Sequence, residues 1–69
     1  MKKINVYAIS SIAYIDNDTS NKVGDLRHIE ADSEKQAEDI YSSLLKKQNR
    51  TIGEAYWIFQ LEVYTKNDL

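Results

Sequence analysis

The side chains in this sequence that could do chemistry are few and scattered. His28 is the only histidine. An imidazole acts as a general base only when a nucleophile and an orienting acid stand around it. Asp25 and Glu30 are near enough in sequence to orient it, but residues two apart share a face in any strand, so the spacing demands nothing. His28 reads as a surface histidine. Two pairs of carboxylates could face a cation. Glu34 and Glu38 are four apart on a predicted helix, where such a pair is more simply a solvated surface near the positive end of the helix dipole. Asp16-Asn17-Asp18 opens like a calcium loop, but Asn21 stands where the loop needs its glycine and Arg27 where it needs its closing glutamate. Gly24 and Gly53 are the only glycines and cannot build a phosphate cradle. No catalytic, cofactor or metal site is expected, no small-molecule substrate is evident, and the chain is not expected to be an enzyme.

Lys46, Lys47 and Arg50 form a local basic cluster beside Gln48 and Asn49. Such a cluster can touch a phosphate backbone, and aromatics on an exposed sheet can stack bases. That layout resembles the sheet-based RNA binders, but their second helix and their aromatic-basic motif are missing. A helix C-terminus attracts lysine and arginine in any case. Nucleic-acid binding through these three residues is therefore the second reading of function. The overall charge of −2, with eleven acidic and nine basic residues interspersed, favours neither generic nucleic-acid binding nor charge-based DNA mimicry.

The elements that must position these residues belong to one domain over residues 1–69. A chain this short buries only about 60% of the surface its unfolded form exposes, so its stability margin is thin. It has no cysteine, which excludes disulfides and thiolate metal sites and leaves packing quality or a partner chain to supply the margin. The same absence fits a reducing compartment, and the expected location is the cytoplasm. Met1 to Ala13 places two lysines before an apolar run, as a signal peptide does. Asn5, Ser10 and Ser11 interrupt the run and Asp16 follows closely, so a first strand is the better reading. No segment approaches the roughly 18 apolar residues of a membrane span, and no membrane attachment is expected. Asn49-Arg50-Thr51 matches a glycosylation acceptor, read here as chance.

Lys3–Ile15 reads as the first strand, with both faces mostly apolar and a bend or bulge expected at Ser10 and Ser11. Residues 16–22 are polar throughout and read as a mobile loop. A weaker, charge-rich second strand, suited to a sheet edge, runs from Lys22 or Val23 to Glu30. Asp32 or Ser33 caps a helix that fades by Asn49, with Ser33 and Gln36 fitting a capping box. Its apolar stripe is Ala37, Ile40, Tyr41, Leu44 and Leu45. Gly53 reads as the turn into a last strand, Glu54–Thr65.

The expected fold is α+β, in the order β-β-α-β. It has a three-stranded antiparallel sheet in spatial order 2-1-3, with one amphipathic helix packed on one face and a right-handed crossover between the second and third strands. One helix covers one face. Trp57, Phe59, Leu61 and Val63 are expected beneath it, leaving Tyr7, Ile9, Tyr56, Ile58 and Tyr64 on an uncovered apolar face. Exposed apolar patches above a few hundred Å² mark association sites, and tyrosine is enriched at interfaces. The leading reading is a small protein-binding module, either a homodimer or an inhibitor or adaptor of another protein, joined through a sheet face or edge.

Overall fold

In the computed structural model, which describes residues 4–62, the chain forms strands β1 (Asn5–Ile15) and β2 (Asp18–Glu30), helix α1 (Glu34–Lys47) and strand β3 (Arg50–Glu62). The sheet has the order β2-β1-β3 with both pairs antiparallel. The fold is the small α+β domain expected, with one helix on a three-stranded sheet.

Two element boundaries differ from expectation, each for a local reason. The polar stretch 16–22 is mostly strand. Asp16 and Asn17, with φ of 55° and 59°, make the two-residue turn. Paired left-handed residues suit a hairpin because their twist matches that of the strands, and Asp and Asn are among the side chains that tolerate it. The Asp18 carboxylate then accepts from the Ser20 backbone N–H at 3.0 Å and from its hydroxyl at 2.7 Å. These bonds hold an irregularity in which Lys22 lies opposite Tyr14 while Asp18 lies opposite Ile15. They also lower the Asp18 pKa, by hydrogen bonding to the charged form.

The second difference is in β3, which begins earlier than expected and contains Gly53 rather than following it. Trp57 pairs with Ser10, Glu54 with Ile12 and Ile52 with Ala13, so β3 uses one extra residue in each interval. The irregularity expected at Ser10 and Ser11 therefore falls on the partner strand. Ala55 has a φ of 53° at one of these bulges, and Gly53 lies at the other.

The helix follows its signals. Ser33 is the N-cap and its Oγ accepts from the Gln36 N–H at 3.1 Å. The Gln36 side chain reaches back to the backbone N–H of Asp32 rather than of Ser33. Glu34 lies in the first turn and Lys46 and Lys47 in the last, complementing the dipole.

The core lies between the helix and one sheet face. Tyr7, Ile9, Ala13, Ile29, Ala37, Tyr41 and Leu45 are buried, and Val23, Ala31, Ile40, Leu44, Tyr56 and Ile58 pack around them. This corrects the expected faces. Tyr7, Ile9, Tyr56 and Ile58 belong to the helix side, and Trp57, Phe59 and Leu61 face outward; Val63 and Tyr64 lie outside the described residues. Strand periodicity puts alternate residues on opposite faces, so a single choice of parity exchanges the whole set. The hairpin makes that choice. Its register places Tyr7 opposite Ile29 and Ala13 opposite Val23, which are the apolar residues of one β2 face. The other β2 face carries Gly24, Leu26, His28 and Glu30, on which Leu26 is the one large apolar side chain.

The resulting molecule is thin. Its Cα radius of gyration is 13.8 Å, against about 11 Å for a compact chain of this length. A 14-residue helix spans about 21 Å of a sheet whose central strand spans roughly 36 Å.

Candidate functional site

Two groupings of side chains could carry function: a polar network beneath the helix and an apolar surface on the opposite side of the sheet.

The network begins at Ser11, which is buried in the middle of β1. Its hydroxyl is 2.6 Å from that of Tyr41. Beside them stands Asp25, whose side chain is 7% exposed. Arg27 Nε lies 3.1 Å from its carboxylate and Arg50 Nη1 lies 3.8 Å away. Arg27 also donates through Nη2 to the Gln48 side chain at 2.6 Å. The cluster thus joins all three strands to the C-terminal end of the helix. Its chemistry is closed: the Ser11 hydroxyl faces a phenol rather than a base, and the Asp25 carboxylate is engaged by guanidinium groups. Among the described residues, no buried side-chain nitrogen or oxygen lacks a hydrogen-bond partner. The network therefore reads as a structural tie.

A second tie lies at the other end of the helix. The Tyr56 hydroxyl donates to Glu38 at 2.9 Å, and its ring lies 6.3 Å from that of Tyr41. Burial raises both tyrosine pKa values above the ordinary 10.0, and the Glu38 hydrogen bond and charge add to the effect at Tyr56. Tyrosine is neutral when protonated, so a raised value means the unfolded chain ionises first. The stabilising effect is complete below about pH 10 and declines as pH rises through the folded-state values. Denaturant unfolding should therefore show falling stability above about pH 10, and Tyr56→Phe should flatten that fall.

The sequence candidates for chemistry are dispersed. His28 is on the outward face, on the same side as Glu30, whereas Asp25 points beneath the helix. Glu38 is bonded to Tyr56, which separates its role from that of Glu34. Among the described residues no group of three or more metal-type ligands is assembled. The basic cluster is divided. Lys46 and Arg50 share a surface cleft with Asp16 and Asn17, Lys47 lines a different cleft with Asp39 and Leu44, and Arg50 turns toward Asp25. No helix among the described residues is long and apolar enough to cross a membrane.

The outward face is the larger feature. The register defines its rows: Leu26–Ser10–Trp57, His28–Ala8–Phe59 and Glu30–Val6–Leu61. Leu26 is 67% exposed, Trp57 54%, Phe59 53% and Leu61 37%. Large side chains therefore stand on the two outer strands, and the central strand between them carries Ala8 and Ser10, with the larger Val6 and Ile12 beyond them at either end. The face is a trough with a small-residue floor. Trp57 and Phe59 pack edge to face with centroids 5.2 Å apart, so one wall is a firm aromatic ridge. Toward the hairpin turn the trough ends in a polar rim. There Lys22 pairs with Glu54 at 3.1 Å and its ammonium lies 5.9 Å from the Tyr14 ring centroid.

That one face stays uncovered follows from the sequence, but the residues expected on it are the wrong ones. The β2 pattern is only a partial signal, with Val23, Asp25, Arg27 and Ile29 on one parity and Gly24, Leu26, His28 and Glu30 on the other.

No protein-family model matches the chain, and neither a curated protein nor a solved structure shows significant similarity to it. Its exposed apolar sheet residues, with no metal-ligand group assembled among the described residues, are consistent with a non-catalytic interaction module.

Proposed function

We propose that this chain is a small, non-enzymatic protein-binding module. It acts as a homodimer or as an inhibitor or adaptor of another protein, and its binding surface is the outward sheet face built on Leu26, Trp57, Phe59 and Leu61. The observation that carries this reading is the half-exposed Trp57–Phe59 ridge. A tryptophan and a phenylalanine left this open in a chain with so thin a core forgo burial that is worth ~25 cal/mol per Å². Aromatic residues standing beside a trough are the usual anchors of protein interfaces. The absence of cysteine leaves a partner as a source of added stability and is the basis for placing the module in the cytoplasm.

Site-specific photo-crosslinking tests the surface without presupposing the partner. A photoreactive aromatic in place of Phe59 should give adducts with protein, whether another chain or a second copy, in the cell of origin. The same group in place of Ser43, on the exposed side of the helix, should give few. Equal yields at the two positions, or none at Phe59, would remove the basis of the reading.

A further inference from the structure

We propose that the partner of the outward face is a second copy of this chain. The two sheets pack face to face about a two-fold axis parallel to the strands. The Trp57–Phe59 ridge of each copy enters the Ala8–Ser10 trough of the other. This inference rests on the association reading above and adds the identity of the partner and the fit.

Three observations lead to it. The first is shape. Adjacent strands lie about 4.8 Å apart, so a two-fold axis midway between β1 and β3 sets each β3 over the β1 of the other copy. An axis along the strands preserves the rows. Trp57 therefore falls over the partner's Ser10 and Phe59 over the partner's Ala8, where the floor is smallest. The opposite wall of the partner's trough is Leu26, the most exposed of the large apolar side chains, which stands beside the entering ridge with no partner strand over it. Ridge and trough come from the same surface, so the contact is isologous and closes at two copies.

The second observation is charge. The two central rows contain no carboxylate, lysine or arginine; His28 and, in the next row, Glu30 stand on β2, outside the overlap of β1 and β3. A surface of this kind selects neither an acidic nor a basic partner, and two copies meet on it without repulsion. The nearest ion pair, Lys22 with Glu54, is satisfied within its own chain at the rim.

The third is area. Aromatic side chains offer ~150–250 Å² each, so the exposed halves of Trp57 and Phe59 together present roughly 200 Å². With Leu61, the flank of Leu26 and the trough floor, two copies bury at most on the order of 1,000 Å², the size of weak, transient interfaces. A contact of this size makes a reversible dimer the expected form. Aligned packing of two twisted sheets about 10 Å apart is an established way to close a two-layer core.

Sedimentation of the full chain over roughly 5–500 µM tests the inference, since this range brackets micromolar dissociation. Wild-type protein should show a monomer–dimer equilibrium. Its single tryptophan should shift its emission to the blue as the dimer forms. Trp57→Ser removes the ridge and Ser10→Lys fills the trough, and each should weaken self-association at least tenfold. An equimolar mixture of the two variants should associate more strongly than either alone. In the mixed dimer one ridge still meets one open trough, and the introduced lysine occupies the space that the missing tryptophan leaves. Ala8→Lys provides a second trough variant should Ser10→Lys fail to fold.

A wild-type chain that stays monomeric throughout, a dimer indifferent to ridge and trough variants, or a mixture no tighter than its components overturns the inference. The two readings fail separately. A monomer whose Phe59 position still crosslinks a different protein leaves the association module standing and removes the second copy. A monomer with no adduct removes both.

Discussion

Tyr41→Ala should leave the chain unfolded at 25 °C, with the far-ultraviolet dichroism of the native protein lost. Tyr41 is among the largest fully buried side chains, and it meets Ser11 on β1 and the Tyr56 ring on β3. Truncating a buried aromatic to alanine costs ~3–5 kcal/mol. A domain of this length has a total stability of roughly 3–10 kcal/mol, and its thin core puts it near the low end. The truncation also strips the Ser11 hydroxyl of its partner in a buried site. Tyr41→Phe separates the two contributions. It keeps the ring and removes only the hydroxyl, so urea unfolding should show a loss of ~1–3 kcal/mol, the cost of an unpaired buried polar group. Adding Ser11→Ala to Tyr41→Phe should recover part of that loss, because it removes the unpaired Ser11 hydroxyl, while Asp25 keeps its guanidinium partners but not the Tyr41 hydroxyl. A double variant no more stable than Tyr41→Phe alone would show that the pair contributes through something other than its mutual hydrogen bond.

Gly53→Ala should cost ~1–3 kcal/mol, an unusually large effect for the smallest possible addition to a strand. A Cβ at this position would stand 2.6 Å from Tyr14 Cε1, 2.7 Å from Tyr14 Cζ and 2.7 Å from the Ile12 carbonyl oxygen. Gly53 does not have a positive φ, so its role is close approach rather than backbone freedom. The Tyr14 ring lies across the bulge and covers the glycine, as aromatic residues do for strand glycines elsewhere. Gly24 is the internal control. A Cβ there meets nothing within 4 Å, so Gly24→Ala should be neutral or slightly stabilising. Combining Gly53→Ala with Tyr14→Leu should recover only part of the loss, since the ring can be removed but the Ile12 carbonyl cannot. Full recovery would mean that the backbone yields more readily than its pairing with β3 implies. Thermal or urea unfolding of these variants decides the matter.

The helix is legible in detail because its determinants are local. Ser33 and Gln36 mark its start, the recurrence of Ala37, Tyr41 and Leu45 marks its buried side, and charge order marks its polarity. The strand order is legible too, since an antiparallel hairpin followed by a crossover leaves the free side of β1 as the natural place for β3. The length of β2 is not. A run of Asp, Asn, Thr and Ser resembles a loop by composition, and only the pairing of Lys22 with Tyr14 across a two-residue turn makes it strand.

What the sequence determined by itself was the number, kind and order of the elements, and the fact that one helix cannot cover both faces of an apolar sheet. What only the tertiary structure decided was which face remains open. Parity along a strand is a binary choice, and apolar content does not make it when both faces are apolar. By composition Tyr7, Ile9, Tyr56 and Ile58 are as suitable for exposure as Trp57, Phe59 and Leu61. The hairpin register, the polar tie of Ser11 to Tyr41 and the bond from Tyr56 to Glu38 turn the first set inward. Those are long-range contacts. They leave the aromatic ridge outside, and with it the surface on which the proposed function rests.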